Sequence, residues 1–150
     1  ILTFRDELPD LVKDPRAKKL AANSFTLEEF LANQPELKLG KLERRAVVHG
    51  HCHQKAMVGM EPTRKVLERV EGLQFTILDS GCCGMAGSFG YEEGHYDVSK
   101  AAGERVLFPA VRNAPDDLIV APGFSCRSQI KDFCDGRKAL HTAELLALAE

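Results

Sequence analysis

The chain lacks several patterns that identify common classes of protein. Its formal net charge is −2, and no Lys/Arg-rich tract interrupts it, so nucleic acid is not an expected partner. No apolar run is long enough to span a membrane, and no stretch resembles a secretory signal peptide. We therefore predict a cytoplasmic location, with a peripheral position at the inner face of the membrane as an alternative.

Glycine loops that bind phosphate are also missing. The glycines at 81, 84, 87 and 90 recur every three residues, which is not the G-x-G-x-x-G of dinucleotide-binding folds, and no G-K-[ST] follows them. No Ser/His/Asp set stands out for nucleophilic catalysis. The five cysteines include no C-x-x-C pair, and an odd number fits a secreted disulfide framework poorly. A reducing compartment, with cysteines kept for metal or redox chemistry, is the better inference.

Length and composition predict one globular domain. The 150 residues are 44% hydrophobic and 28% charged, which allows a single core. We expect a single cysteine-rich domain over 1–150, with a helical lead-in over 1–42 and a strand–helix core over 43–150. Because the chain begins with Ile1, and residues 1–4 resemble the end of a strand or loop, we expect a fragment truncated at its N-terminus.

The order of predicted elements gives the fold class. Asp14-Pro15 marks the start of a helix over 16–22, and Thr26 to Glu29 has capping-box spacing. Strands then alternate with helices, which predicts an α/β, Rossmann-like fold of three layers with a mainly parallel sheet and the N-terminal helices packed over it. The predicted strands are 46–49, 73–78, 117–121 and 138–141; the predicted helices of this part run from near Pro62 to Gly72, over 98–113 with a kink or break at Pro109, over 127–133, and over 143–149 with Thr142 as cap.

Two adjacent cysteines, Cys82 and Cys83, follow the second predicted strand directly. Consecutive side chains on an extended strand point to opposite faces, so both sulfurs can face one object only where the backbone turns sharply. Glycines at 81 and 84 permit such a turn. The pair therefore indicates a ligand-binding loop rather than two buried thiols that only pack.

Two further cysteines stand in equivalent places. Cys52 follows the first predicted strand and Cys126 follows the third. Right-handed crossovers bring the carboxyl ends of parallel strands to one edge, where ligand sites of open α/β sheets form. We therefore predict that Cys52, Cys82, Cys83 and Cys126 converge as metal ligands, whereas Cys134 has no such position and is expected to be a packed thiol.

Four converging thiolates favour an iron–sulfur cluster. Lys55 and Arg127 could offset the negative charge of the sulfurs, and the amides of Gly84, Met85 and Ala86 could donate hydrogen bonds to them. A structural zinc site also takes four ligands but commonly uses C-x-x-C pairs. Two alternatives stay open: a zinc-stabilised or metal-free interaction domain, and thiol–disulfide chemistry at the Cys82–Cys83 pair.

The histidines add less to the prediction. His49, His51 and His53 would share one face of a strand edge, with the opposite parity to Cys52. Contact with the metal is therefore the less favoured interpretation for them. His95 and His141 are expected at the surface or in the core.

Three motifs together resemble the cysteine-rich CCG domain of heterodisulfide reductase B-type subunits, glycolate oxidase iron–sulfur subunits and lactate-utilisation iron–sulfur proteins. They are His51-Cys52-His53-Gln54-Lys55, the segment from Asp79 to Glu92, and the segment from Gly123 to Gln129. The chain also resembles the C-terminal part of fused FAD-linked oxidases of the D-lactate or D-2-hydroxyglutarate dehydrogenase type. The resemblance implies a 4Fe-4S-type electron-transfer module of a flavin-linked 2-hydroxy acid oxidoreductase.

The same resemblance implies partners and also shows departures. FAD is expected on another domain, with flavin and ferredoxin-like domains of the same polypeptide or complex as partners and a quinone or carrier protein as downstream acceptor. The fullest family pattern ends in C-x-x-C, where this chain has Gln129, and related sequences often carry a cysteine that would lie upstream of Ile1. We therefore expect the fragment to purify with the cluster lost or replaced by zinc.

Overall fold

A four-stranded, all-parallel sheet forms the centre of the protein, which is described here from a computed structural model that covers residues 1–149. The strand order is β2-β1-β3-β4. The strands are β1 (Arg45–Val48), β2 (Gln74–Ile77), β3 (Leu118–Val120) and β4 (Ala139–Leu140). This sheet with its flanking helices confirms the predicted α/β class.

Both faces of the sheet are covered, which explains why β1 is almost uniformly apolar. Val47 packs on one face in a cluster with Met85, Phe108 and Ile130. Val48 packs on the other face with Leu67. The alternation along one strand therefore supplies two cores, and the domain has three layers.

Ten α-helices and one 3₁₀ turn accompany the sheet within residues 1–149. The helices are α1 (Leu2–Arg5), α2 (Glu7–Leu11), α3 (Pro15–Ala22), α4 (Leu27–Ala32), α5 (Cys52–Met57), α6 (Glu61–Leu67), α7 (Tyr96–Glu104), α8 (Leu107–Arg112), α9 (Phe124–Phe133) and α10 (Thr142–Leu146); the 3₁₀ turn is Phe89–Tyr91. None of these helices is long and apolar enough to cross a membrane.

The predicted N-terminal helix starts are confirmed. The side chain of Asp14 accepts a hydrogen bond from the Arg16 amide at 2.8 Å, with Pro15 at the first helical position. Thr26 and Glu29 form the reciprocal capping box of α4. Residues 2–5, in contrast, form α1 rather than the end of a strand or loop, and α2 and α5 were not predicted.

Three later boundaries also differ from the sequence prediction. The predicted division of the helix over 98–113 is confirmed by the separate helices α7 and α8, but the break precedes Pro109, which lies in the first turn of α8 where its missing N–H is tolerated. Helix α9 begins at Phe124, so Cys126 lies inside it. His141, not Thr142, caps α10, because its Nδ1 accepts from the Ala143 amide at 3.1 Å.

A buried hydrogen bond joins the N-terminal helices to the end of the chain. Thr142 is fully buried and donates its hydroxyl hydrogen to Oε1 of Glu28 at 2.5 Å. Arg69, just after α6, donates to the backbone carbonyls of Leu31 and Gln34 at 3.0 and 2.9 Å. These contacts hold α4 against α6 and α10.

We expect Thr142→Val to lower the free energy of unfolding by about 1–3 kcal/mol, because it leaves the buried Glu28 carboxylate without its donor. Urea unfolding of the reduced protein measures the change. Thr3→Val is the matched control, since Thr3 is exposed and its substitution should change stability by no more than about 0.5 kcal/mol. Equal effects of the two substitutions would contradict the proposed tether.

Candidate metal centre

Three neighbouring strands carry the cysteine-bearing loops. β1, β2 and β3 lie side by side and run parallel, so their carboxyl ends share one edge of the sheet. Cys52 opens α5 beyond β1, Cys82 and Cys83 lie beyond β2, and Cys126 lies in the first turn of α9 beyond β3. The fold therefore delivers all four thiols to the edge predicted from the sequence.

The four thiols are in contact with one another. The Cys52 thiol is hydrogen-bonded to that of Cys82, the Cys82 thiol reaches Cys83, and the Cys83 thiol is hydrogen-bonded to that of Cys126. Cys83 and Cys126 are buried, with 3% and 1% of their surface exposed, and the other two are half-buried. Cys134 lies apart, with its thiol 3.9 Å from the Phe108 carbonyl oxygen, which confirms a packed thiol.

The four thiols form a row of neighbours, from Cys52 through Cys82 and Cys83 to Cys126, and do not surround a metal-sized space. Within residues 1–149, no group of three or more His, Cys, Asp and Glu side chains has the spacing that holds a single metal ion. The convergence of the four thiols is therefore a feature of the structure, while their role as metal ligands stays a prediction.

Hydrogen bonds within the row shift the pKa values of its thiols in different directions. The bond from Cys126 lowers the pKa of the Cys83 thiol, and backbone amides add to this effect. The same bond, together with burial, raises the pKa of Cys126. Burial raises the pKa of Cys82. Cys83 therefore favours the thiolate form more than Cys82 or Cys126 does.

Two of the three predicted amides do point at sulfur. The Gly84 N–H donates to Sγ of Cys82 at 3.3 Å, and the Met85 N–H donates to the Cys83 thiol. Ala86 has a left-handed backbone conformation, with φ of 44°, and so helps to reverse the chain. The loop thus surrounds its two sulfurs with peptide donors.

Lys55 and Arg127 bind the loops by their carbonyl groups. The Lys55 ammonium donates to the carbonyl oxygen of Ser80 and to that of Gly81 at 3.2 Å. Arg127 donates from Nη1 to the carbonyl oxygens of Ala121 and Pro122 at 3.0 and 2.8 Å. Both residues therefore fix a cysteine loop; their role in offsetting the charge of the sulfurs, or in binding a cofactor directly, stays a prediction.

The loop that carries Cys82 and Cys83 packs against helix α7. Gly84 has φ of 100°, and a Cβ there would stand 2.0 Å from the Ser99 carbonyl oxygen. Gln129, which is 2% exposed, donates from Nε2 to the Cys83 carbonyl at 3.0 Å and to the Ser99 hydroxyl at 2.8 Å. The amide at the position where the family pattern has a cysteine therefore ties Cys83 to α7.

A second close approach brings His51 beside Cys126. A Cβ at Gly123 would stand 2.6 Å from Cδ2 of His51 and 2.9 Å from Sγ of Cys126. The ring of His51 is half-buried, and burial lowers its pKa. A side chain at position 123 would therefore require His51 or Cys126 to move.

The sequence did not reveal the roles of His49 and Ser80. His49 is 1% exposed, and its Nδ1 lies 2.7 Å from the Ser80 hydroxyl oxygen. Burial, assisted by the nearby charges of Lys55 and His51, lowers the pKa of His49 to about 4. Alternation with Val47 could have placed His49 on one sheet face, but nothing in the sequence says which face carries the thiols.

The remaining histidines serve local structure. His53 pairs with Asp6 at 3.2 Å near the surface. His95 stacks on Phe89 with a centroid distance of 4.1 Å, and His141 caps α10. These positions lie outside the row of thiols.

Comparison with known proteins identifies a family. The family model described as the CCG cysteine-rich domain matches residues 46–131. The match includes Cys52, Cys82, Cys83 and Cys126, and it leaves Cys134 outside. No solved structure gives a significant match.

Curated relatives contain the matched region as one part of a longer chain. Over 113 residues, the protein is 34% identical to a subunit of the anaerobic glycerol-3-phosphate dehydrogenase of Escherichia coli strain K12, covering 75% of this chain and 28% of that one. It is 29% identical to lactate utilization protein A of Halalkalibacterium halodurans, with 93% and 62% covered, and 29% identical to D-2-hydroxyglutarate dehydrogenase of Escherichia coli strain K12, with 87% and 13% covered. The chain thus spans less than two thirds of each of these relatives.

We expect Gly84→Ala to lower the free energy of unfolding by roughly 2–4 kcal/mol, because the new methyl group meets the Ser99 carbonyl at a backbone conformation that disfavours side chains. Gly81→Ala is the control within the same loop, since no atom lies within 4 Å of a Cβ there, and its effect should stay within about 0.5 kcal/mol. Urea unfolding compares the two variants. A similar loss in both would show that the loop does not depend on contact with α7.

We expect the stability of the cluster-free protein to fall as pH is lowered from 6.5 to 4. His49 has a folded-state pKa of about 4, so the unfolded chain binds a proton in this window that the folded chain does not. The contribution is complete above the ordinary histidine pKa near 6.5 and is lost toward pH 4, with a total of about 3 kcal/mol.

The measurement compares urea unfolding of the wild type and His49→Leu between pH 5 and 7. The substitution should flatten the pH dependence, whatever its effect on absolute stability. Parallel pH profiles would exclude a buried, neutral His49.

Proposed function

Because the chain belongs to the CCG cysteine-rich domain family, we propose that it is the iron–sulfur electron-transfer module of an oxidoreductase. The observation that carries the proposal is the row of four contacting thiols at one sheet edge. Iron–sulfur clusters are held by cysteine thiolates, usually four. Two relatives are named as a dehydrogenase or a dehydrogenase subunit, which supports a place in an electron-transfer chain.

The surroundings of the thiols fit an anionic iron–sulfur group. Amides of Gly84 and Met85 donate to sulfur, and the cations of Lys55 and Arg127 are held close by. The buried Nε2 of His49 has no hydrogen-bond partner within residues 1–149. Hydrogen-bond donors that face sulfur favour the binding of negatively charged sulfur, and the unpaired Nε2 of His49 is a further nitrogen that such a group could engage.

Different residues of the chain would have different roles at such a site. Cys52, Cys82, Cys83 and Cys126 would hold the cluster, which supplies one-electron oxidation and reduction when bound. Burial of Cys83 and Cys126 excludes water from the inner side. The hydrogen bonds from Gly84 and Met85 stabilise negative charge on sulfur, and this is one means by which a protein sets a reduction potential.

Two alternatives keep specific support. A structural zinc site would use the same four thiols, although they come from three separate loops rather than from C-x-x-C pairs. Thiol–disulfide chemistry would use the contact between the thiols of Cys82 and Cys83. The iron–sulfur assignment is favoured over disulfide exchange because all four thiols meet. It is favoured over zinc because C-x-x-C pairs are missing and two relatives are named as a dehydrogenase or a dehydrogenase subunit.

The finer assignment concerns the whole protein. We propose that the module belongs to a flavin-linked 2-hydroxy acid oxidoreductase with FAD on another domain, and that it carries a 4Fe-4S-type cluster. Two relatives bear the names of 2-hydroxy acids, lactate and D-2-hydroxyglutarate. Glycerol-3-phosphate is not such an acid, so the relative named for it supports electron transfer rather than a particular substrate.

Partners and location follow from the same proposal. Electrons would reach the module from flavin and ferredoxin-like domains of the same polypeptide or complex, and they would leave to a quinone or a carrier protein. The word "subunit" in the name of one relative supports assembly into a larger complex. A cytoplasmic location, or a peripheral one at the inner membrane face, completes the proposal.

Anaerobic reconstitution with iron and sulfide tests the function. We expect broad visible absorption and an EPR signal on reduction. Each of four cysteine substitutions removes one thiolate and should lower iron content; the four variants are Cys52→Ser, Cys82→Ser, Cys83→Ser and Cys126→Ser. Cys134→Ser is the matched control, since that thiol contacts the Phe108 carbonyl instead, and its iron content should equal that of the wild type.

Other outcomes would contradict the proposal. Only trace iron in the wild type, with stoichiometric zinc and unfolding by a chelator, would identify a zinc domain. A reversible titration of Cys82 and Cys83 with dithiol buffers, again without iron, would identify a disulfide-exchange domain.

A further inference from the structure

A buried nitrogen beside the thiol row has no hydrogen-bond partner that the fold supplies. Nε2 of His49 is inaccessible to solvent and unpaired within residues 1–149. Nδ1 of His95 also makes no hydrogen bond, but it lies 3.1 Å from a carboxylate oxygen of Glu92. A buried polar group without a partner lowers the stability of a fold. The unpaired Nε2 of His49 therefore needs a physical explanation, and a bound group that this nitrogen faces would provide one.

His49 lies on the same face of the sheet as the inner thiols. Its amide donates to the Val120 carbonyl at 2.8 Å, so the β1 ladder continues through it. Alternation then places His49 on the face of Val47, which packs in one cluster with Cys83 and Cys126. The unpaired nitrogen and the buried half of the thiol row therefore occupy one side of the sheet.

The contact with Ser80 determines which ring nitrogen carries the proton. The two side chains meet at 2.7 Å between Nδ1 and Oγ. If Ser80 donates, Nδ1 is the acceptor and Nε2 carries the single hydrogen of a neutral ring. If Nδ1 donates, the Ser80 hydroxyl hydrogen needs a further acceptor and Nε2 needs a donor. The first arrangement leaves fewer unmet groups, so His49 presents an N–H at Nε2.

Ser80 is itself fixed in place. Its carbonyl oxygen accepts from the Lys55 ammonium, and it stands two residues before Cys82. The orientation of the His49 ring is therefore coupled to the loop that carries the double cysteine. Burial keeps the pKa of His49 near 4, so the ring stays neutral at physiological pH.

We propose that His49 donates a hydrogen bond from Nε2 to a sulfur of the iron–sulfur centre, with Ser80 as the residue that orients its ring. This inference rests on the proposed function. Reduction adds negative charge, and a donor to sulfur stabilises the reduced state more than the oxidised state. The hydrogen bond from His49 therefore raises the reduction potential of the centre.

The test uses the reconstituted chain and three substitutions. His49→Leu removes the donor and should shift the reduction potential downward in an EPR-monitored titration. Ser80→Ala keeps the imidazole but removes its orienting hydroxyl, and a smaller shift in the same direction is expected. His95→Leu is the control, because that ring stacks on Phe89 and should leave the potential unchanged. If His49→Leu fails to fold, Ser80→Ala carries the comparison.

A second measurement detects the hydrogen bond itself. Electron–nuclear double resonance of the reduced centre should show an exchangeable proton coupling that disappears after transfer to D₂O. That coupling should also be missing in His49→Leu and present in His95→Leu.

Several results would overturn the inference. An unchanged potential in His49→Leu at full iron content, with equal loss of stability in loaded and cluster-free protein, would show a purely structural imidazole. A strong nitrogen hyperfine coupling, with iron lost in His49→Leu, would show direct ligation instead of hydrogen bonding. Failure of the proposed function is distinguishable, because in that case the wild type itself takes up no iron–sulfur centre.

Discussion

Everything at the candidate site depends on the parallel pairing of β2, β1 and β3. Parallel strands need a crossover between them, and each crossover returns the chain so that the next carboxyl end emerges at the same edge. Residues as remote in sequence as Cys52 and Cys126 are therefore neighbours in space. An antiparallel arrangement of the same strands would place the cysteine loops at opposite ends of the sheet.

Delivery to one edge is not enough, because a loop with two adjacent cysteines must also be held in shape. Two sets of contacts hold the loop in shape, one with α7 and one with Lys55 of α5. Below the loop, Gly84 and Gln129 fasten the backbone at Cys83 to Ser99 of α7. At its side, Lys55 of α5 binds the carbonyl oxygens before Cys82. The carbonyls are thus turned outward to cations, which leaves the following amides free to face sulfur.

The sequence predicted the convergence of the thiols because that prediction needs only the order of the strands and the common hand of crossovers. It could not predict contacts that depend on tertiary packing. Gln129 appears from the sequence only as a missing cysteine, whereas in the fold its amide joins Cys83 to Ser99. The cap of α10 was misassigned for the same reason: Thr142 has good cap chemistry, but its hydroxyl is recruited by Glu28 from the N-terminal helices.

The site also concentrates features that work against stability. Gly84 and Ala86 have positive φ angles, buried thiols lie in hydrogen-bonded contact, and the imidazole of His49 has an unpaired nitrogen. Natural proteins violate local rules mainly where function requires it, and the two cores on either face of β1 offset the cost. Strained and unpaired groups therefore occur close to the sulfurs. That distribution is the expected one if the edge is shaped for a group that supplies the missing partners.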